Sequence, residues 1–354
     1  MATAESLSKD PPAADSQDSQ NDNAKTKSVF RSGRFWNPWD TWSEDENIYS
    51  SGLKMLIKEK ISRIPSQAIL DETLPIVRPD TNQISNPPAS GIRVTWIGHA
   101  TVLVQFDGIS ILTDPIFTDR CGPTTWLGVK RYRGVPLKVD ELPKIDAVVI
   151  SHSHFDHLSY PTVCELNKKF GKNLHWFVPL KLGEWMKAAG CETVTELDWW
   201  EEAHIDGQPG ITFAFTPTQH LSQRTAFDKF KVLWGSWVVK GPNHSFFFAG
   251  DTAYCRAFQE IGQHYGPFDV AAIPVGATEP RWFKKNRHCS VAEAVQIHQD
   301  VRAKKSLGIH WGTFKLGHEH YLSPLTEIKE CMEEAGLPAE DFCTKKHGET
   351  WHIE

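Results

Sequence analysis

The sequence predicts an α/β fold in which two mixed sheets pack together with helices on the outside. From about residue 91 onwards, short β-rich runs alternate with turns and amphipathic helices, a pattern typical of layered α/β domains. Residues 146–151 (DAVVIS) form a continuous apolar run, which indicates a central strand buried on both faces. A helix predicted at 291–304 follows Ser290 and includes Glu293, the spacing of a capping box.

The remaining predicted elements are short apolar runs bounded by turn residues, or amphipathic segments. Further strands are predicted at 93–97, 101–106, 109–113, 211–216, 232–239, 245–249, 270–275 and 306–309, and further helices at 161–170 and 180–189.

Three regions differ in composition. Residues 1–30 are polar and contain almost no large apolar side chains, so we expect a disordered tail. Residues 31–90 combine an aromatic segment (FWNPWDTW) with a short amphipathic helix at 52–63 and a Pro-containing connector; we expect an arm packed on the main domain. Residues 91–354 form that domain.

The composition limits the possible partners. A net charge of −6 and an isoelectric point near 6.2 indicate no general attraction to nucleic acid. The N-terminus lacks the apolar run of a signal peptide, and no stretch reaches the roughly 18 apolar residues of a membrane span. Seven scattered cysteines are typical of reduced thiols. We therefore expect an intracellular protein that at most lies on a membrane surface.

The strongest motif follows the predicted central strand. Residues 152–157 read His-Ser-His-Phe-Asp-His, and an extended chain directs His152 and His154 to the same side. Asp156 and His157 lie beyond them and can serve a second ion. Imidazole and carboxylate groups suit zinc, and a site without thiolates favours an open catalytic centre.

Three isolated residues complete the motif. His220, Asp251 and His310 each come at or just after the end of an apolar run. Loops that follow neighbouring strands gather at one edge of a sheet, so we expect these side chains to join the motif. Asp114, after the strand at 109–113, is a possible hydrogen-bond partner for a ligand imidazole or a turn residue.

Several strings resemble a known family. H-x-H-x-D-H with the later His, Gly-Asp and His is similar to the metallo-β-lactamase superfamily. The strings FWNPWDTW, RVTWIGHATVLV, LTDPIF, DAVVISHSHFDHL, ELDWWEE, LWGSW, FFFAGDTAYC, PVGATEPRWF and IHWGTF resemble the N-acyl-phosphatidylethanolamine-hydrolysing phospholipases D within it. The resemblance runs from about Gly33 to the C-terminus and implies an αββα metallo-β-lactamase sandwich.

The resemblance also implies a ligand set and a reaction. Two zinc ions would be held per chain, one by His152, His154 and His220 and the other by Asp156, His157 and His310, with Asp251 bridging both. A hydroxide shared by the two ions would attack phosphorus of N-acyl-phosphatidylethanolamine, and the ethanolamine-side oxygen would leave, giving phosphatidate and an N-acylethanolamine. Asp251, Asp156 and His288 would be the catalytic residues.

Substrate contacts are implied as well. Phe155 and His288 would contact the substrate, although Phe155 stands where the family has Tyr and Arg287 where it has Gln. The substrate would be a membrane phospholipid, approached by a peripheral homodimer on the cytosolic face of a membrane such as Golgi or endosome. Aromatic and basic residues at 281–287 suit a headgroup boundary, whereas core packing is favoured for Trp199 and Trp200.

Other functions remain open at this point. The same fold carries nucleases, thioesterases and lactonases, and a non-catalytic membrane-associated scaffold is a further alternative. The histidines outside the motif set, His99 among them, are expected to pack or to face solvent. His99 differs from the others because it lies in a turn between two early strands.

Overall fold

Two seven-stranded sheets form the centre of the computed structural model, which describes residues 25–43 and 64–354. The strands are β1 (Val29–Arg31), β2 (Arg34–Trp36), β3 (Ile92–Gly98), β4 (Thr101–Phe106), β5 (Ile109–Thr113), β6 (Arg120–Cys121), β7 (Val129–Lys130), β8 (Ala147–Val149), β9 (His175–Pro179), β10 (Thr193–Leu197), β11 (Glu202–Ile205), β12 (Gln208–Thr216), β13 (Ser236–Lys240), β14 (Ser245–Phe248), β15 (Phe268–Pro274), β16 (Ala303–Ile309), β17 (Phe342–Cys343) and β18 (Thr350–Ile353). The helices are α1 (Gln67–Thr73), α2 (Thr81–Ile84), α3 (Tyr160–Phe170), α4 (Gly183–Ala188), α5 (Ala257–His264), α6 (Arg281–Lys284), α7 (Val291–Asp300) and α8 (Ser323–Glu334).

Strand order places the functional loops. The first sheet runs β10-β9-β8-β5-β4-β3-β18 and the second β11-β12-β13-β14-β15-β16-β17. Strands β5, β8 and β9 are parallel to one another, as are β14, β15 and β16. The carboxyl ends of parallel strands meet at one edge of a sheet, where ligands usually bind.

The sheets share one hydrophobic core. On β8, Ala147 and Val149 face this core, which also contains Phe213 and Phe247 of the second sheet. Val148 points the other way, into a separate cluster that includes residues of α3 and α4. This alternation follows from the two-residue period of a strand and confirms that β8 is a central strand buried on both faces.

Several predicted boundaries are wrong. The helix predicted at 291–304 has its capping box on Ser290 but ends at Asp300, because Arg302 takes a left-handed φ of 61° and the chain continues as β16. The strand predicted at 232–239 begins only at Ser236. Before it, the amides of Leu233 and Gly235 donate to loops of the first sheet rather than to a strand neighbour.

The aromatic arm packs on the domain. Phe35 and Trp39 are buried, and Trp39 Nε1 donates to Thr218 O at 3.0 Å. Residues 25–30, placed in the predicted tail, already contact the domain: Thr26 N donates to Glu260 Oε2 at 2.8 Å. The rest of that tail and the helix predicted at 52–63 lie outside the described residues.

Two further features of the chain are the character of its helices and the state of its cysteines. Among the described residues, none of the helices has the length and apolar character that crossing a bilayer requires. All seven cysteines are free thiols.

Candidate metal centre

All seven predicted ligands meet at the edge where the strands end. The motif at 152–157 lies in the loop between β8 and α3, and His220 follows β12. Asp251 follows β14, and His310 comes directly after β16. The side chains form two groups. The ligand atoms of His152, His154, His220 and Asp251 lie within 4.8 Å of one another, and so do those of Asp156, His157 and His310 together with His99. Asp251 also lies within that distance of His310 and His288.

The first group contains three histidines and Asp251. His154 Nδ1 lies 2.8 Å from His152 Nε2 and 3.2 Å from His220 Nε2. Asp251 Oδ2 is 3.9 Å from His152 Nε2 and 3.7 Å from His220 Nε2. Four donor atoms thus surround one point.

The second group uses the same aspartate from its other side. Asp251 Oδ2 lies 3.3 Å from His157 Nε2, and Oδ1 lies 3.0 Å from His310 Nε2. Asp156 Oδ2 is 3.4 Å from His157 Nε2 and 3.6 Å from His310 Nε2. One carboxylate therefore reaches both groups, as the predicted bridging role requires.

The donor atoms fit a metal ion. Atoms each about 2.0–2.1 Å from a tetrahedral zinc ion are about 3.4 Å apart, close to the separations seen here. His157 Nε2, His310 Nε2 and Asp251 Oδ1 are buried and make no hydrogen bond among the described residues, although His310 Nε2 and Asp251 Oδ1 lie 3.0 Å apart. Buried polar atoms without partners are costly, and coordination to a cation satisfies them.

The charges of the centre also fit a bound cation. Burial would raise the pKa of Asp251, but the nearby His157 and His310 hold it well below the usual range. Burial opposes protonation of His310, yet the carboxylates of Asp251 and Asp156 raise its pKa to about 9. The paired carboxylates therefore demand positive charge, which either protons or a divalent cation can supply.

The histidines of the first group differ from His310 in the direction of their pKa shifts. Burial lowers the pKa of His154 to about 4 and that of His220 to about 3. Both imidazoles are therefore neutral at pH 7, the form that binds metal ions.

Asp114 contacts the imidazole of a predicted ligand, His157. Its Oδ2 lies 2.7 Å from His157 Nδ1, and it also accepts hydrogen bonds from the backbone N and the hydroxyl of Ser151. A carboxylate behind a ligand imidazole fixes which nitrogen is free to coordinate. The contact supports the role of orienting a predicted ligand, and Asp114 also lies at a bend directly after β5.

The backbone is constrained where the ligands gather. His310, Asp114 and His99 have left-handed φ values of 65°, 31° and 54°, a conformation that costs non-glycine residues energy and clusters at functional sites. Gly250, with φ of 61°, precedes Asp251, and a Cβ there would lie 2.6 Å from Ser151 Cβ.

His99 joins the centre, contrary to expectation. Its Nε2 lies 2.9 Å from Asp156 Oδ2, and its side chain is 1% exposed. His99 is therefore buried, as the packing alternative allowed, but it also contacts a predicted ligand, a role that the sequence did not assign. Its position in a turn between two strands was the only sequence signal, and nothing local links residue 99 to residue 156.

His288 and Phe155 lie at the open side of the centre. His288 Nδ1 is 3.9 Å from Asp251 Oδ2, and its side chain is 11% exposed. The ring of Phe155 lies under the guanidinium of Arg224, at 4.2 Å, and Arg224 Nη1 donates to Ser153 O and Leu158 O. Phe155 is thus held by a cation that also braces the motif loop.

The aromatic clusters separate into core and surface. Trp199 and Trp200 are buried, which confirms the core packing that the sequence favoured. Trp282 on α6 is 51% exposed, and its neighbour Lys285 is exposed as well. The segment 281–287 therefore presents apolar and basic groups next to His288.

Comparison with known proteins identifies the family. The model of the family described as "Beta-lactamase superfamily domain" matches residues 110–311. The chain is 40% identical to N-acyl-phosphatidylethanolamine-hydrolyzing phospholipase D 1 of Caenorhabditis elegans, covering 91% of this chain and 92% of that protein. A mitochondrial protein of the same activity name from Saccharomyces cerevisiae is 34% identical, covering 78% of this chain and 58% of its own length.

A solved structure agrees on the fold. A metallo hydrolase from the archaeon Ignicoccus hospitalis superposes with a TM-score of 0.58 at 22% identity, covering 75% of this chain and 99% of that one. The sheet architecture, the cluster of buried ligands and the similarity along nine-tenths of the chain lead to one conclusion. The chain is a metal-dependent hydrolase of the metallo-β-lactamase superfamily and belongs, within it, to the family of N-acyl-phosphatidylethanolamine-hydrolysing phospholipases D.

Proposed function

We propose that this enzyme uses two zinc ions to hydrolyse N-acyl-phosphatidylethanolamine to an N-acylethanolamine and phosphatidate. The observation that carries the proposal is the position of Asp251, one carboxylate within 3.0–3.9 Å of nitrogens from both ligand groups. A shared carboxylate is the arrangement of a two-metal hydrolytic centre. The 40% identity to the Caenorhabditis elegans protein supports this substrate over those of other hydrolases on the fold.

Seven of the residues would bind the ions, and others orient a ligand ring. His152, His154 and His220 would hold one ion, Asp156, His157 and His310 the other, and Asp251 both. When bound, two zinc ions lower the pKa of a water from about 15.7 to about 7 and offset charge on phosphate oxygens. Asp114 and Ser151 keep the His157 ring in place, so the ligands are held rigidly before substrate arrives.

We assign His288 a contact with the substrate. Its side chain is the more exposed partner of its contact with Asp251, and burial lowers its pKa well below the usual range. The neutral ring can donate a hydrogen bond to a phosphate oxygen or to the departing ethanolamine oxygen. Removing such a donor costs about 10²–10³-fold in rate in comparable sites.

A bilayer substrate requires contact with a membrane surface. The exposed Trp282 lies on α6 and the exposed Lys285 directly follows that helix, a few residues before His288. Tryptophan and lysine are suited to the headgroup boundary. We infer that this segment rests on the cytosolic face of a membrane while the lipid headgroup reaches the metal centre, and that the working enzyme is a homodimer.

Product analysis tests the reaction. The purified enzyme, given N-acyl-phosphatidylethanolamine in vesicles, should release an N-acylethanolamine and phosphatidate. In water enriched in ¹⁸O the phosphatidate should gain the label, and added ethanol should yield no phosphatidylethanol, because water attacks phosphorus directly. Hydrolysis of RNA, thioesters or lactones in place of the phospholipid contradicts the proposal.

A further inference from the structure

The turn between β3 and β4 carries one residue that touches two predicted ligands of the same ion. The side chain of His99 reaches Asp156, with Nε2 2.9 Å from Oδ2. Its backbone carbonyl accepts a hydrogen bond from the amide of His310 at 3.0 Å. Asp156 follows a strand of the first sheet and His310 a strand of the second, so His99 contacts predicted ligands from both sheets.

The turn itself is firmly held. The amide of His99 donates to Thr313 Oγ1 at 2.7 Å, and its carbonyl also accepts from Trp96 Nε1 at 3.0 Å. The edge of the Phe314 ring packs against the imidazole, with ring centroids 5.2 Å apart. The left-handed φ of 54° is therefore maintained by contacts on three sides.

The hydrogen-bond chemistry of His99 defines its role. A carboxylate only accepts hydrogen bonds, so Nε2 must carry the proton. The other ring nitrogen, Nδ1, makes no hydrogen bond among the described residues. A protonated Nε2 cannot coordinate an ion. Through this contact His99 acts on Asp156, and its Nε2 is not available as a ligand.

We propose that His99 is a positioning residue for the second metal position, where it orients Asp156 through its side chain and His310 through its backbone. The inference rests on the proposed metal centre. Partners of this kind typically contribute 10–100-fold in metal affinity or activity. The oxygen that His99 contacts, Oδ2, is also the one that faces His157 Nε2 and His310 Nε2, so the contact fixes the carboxylate oxygen nearest to the other predicted ligands.

Two amide substitutions test the side chain with the backbone matched. In His99→Gln, the Gln amide NH₂ can occupy the place of Nε2, whereas in His99→Asn the amide is one methylene shorter and falls short of Asp156. Both variants keep a Cβ at the left-handed position, where Asn is well tolerated. Metal content by elemental analysis and affinity by chelator competition are the readouts, with the absorption spectrum of the Co²⁺-loaded enzyme as a third.

We expect His99→Asn to lose affinity at one of two positions by about 10–100-fold and to change the Co²⁺ spectrum, and His99→Gln to restore both within a few-fold. His244→Ala is the control, because His244 Nδ1 makes a 2.9 Å contact to Asp107 Oδ1 at the opposite edge of the sheets. That variant should lose thermal stability and keep both metal affinities.

Three results separate the hypotheses. Two ions with unchanged affinity in His99→Asn overturn the positioning role and leave the metal centre intact. Equal losses in the Asn and Gln variants also overturn it, because the Gln donor would then not matter. A wild-type enzyme that binds one ion or none contradicts the proposed two-metal centre itself.

Discussion

Replacing Asp251 by Asn removes one negative charge from the point where the two ligand groups meet. The shape of the side chain is kept, and both oxygen positions stay within 3.0–3.9 Å of the surrounding imidazole nitrogens. Two unit charges 4 Å apart attract by about 4 kcal/mol at an effective dielectric constant of about 20. Since 1.4 kcal/mol is a factor of ten, we expect metal affinity to fall by about 10³-fold.

The assay for Asp251→Asn has two readouts. Metal content after dialysis should drop below the wild-type value, and N-acylethanolamine release, followed by mass spectrometry, should fall by about 10²-fold or more. Excess zinc should restore part of the activity. An Asp251→Asn enzyme that is fully loaded with metal and fully active refutes the bridging role.

Asp107→Asn is the matched control for this change. The side chain of Asp107 is only 4% exposed, and its carboxylate accepts from the amides of Asn243 and His244 at 2.9 and 3.0 Å. It lies in the turn before β5, at the edge away from the metal centre. We expect a loss of stability of about 1–3 kcal/mol with metal content unchanged.

Further predictions concern the same centre and its surroundings. Chelator treatment should abolish activity and lower the melting temperature, because an ion bound only by the folded state stabilises it; zinc should restore both, and unchanged activity without metal would exclude a metal mechanism. Asp114→Asn, which weakens the hold on His157, should reduce metal affinity or activity by about 10–100-fold, measured by chelator competition. His288→Ala should lower kcat by about 10²–10³-fold while metal content stays constant; loss of metal instead would make His288 a ligand. Trp282→Ser should weaken vesicle binding in a sedimentation assay while activity on substrate dispersed in detergent is retained, with Ile69→Ser, an equally exposed site on α1, as the comparison.

The predicted ligands depended on very local information. The motif at 152–157 is contiguous, and it follows a run of apolar residues that can only be a buried strand. His220, Asp251 and His310 could be added because each follows another apolar run. The packing of strands into parallel order then brings such residues together without further specification.

Element boundaries were predicted less well. Periodicity in residues 291–304 continues past the helix end, because an alternating strand begins at Ala303 and the two patterns merge. The helices α5 and α8 and the terminal strand β18 were not predicted. Strand β18 pairs with β3, more than 250 residues earlier, and no local pattern contains that partner.

By itself the sequence determined which residue types stand after which strands, and this pattern predicted a metal-binding edge. The family resemblance implied how the ligands would group, but only the tertiary structure showed that Asp251 lies near both groups and that His99 contacts Asp156. The physical reason is that strand patterns depend on neighbours a few residues apart, whereas the ligand groups depend on how two sheets lie against each other. That relation is set by a core of side chains from the whole length of the domain.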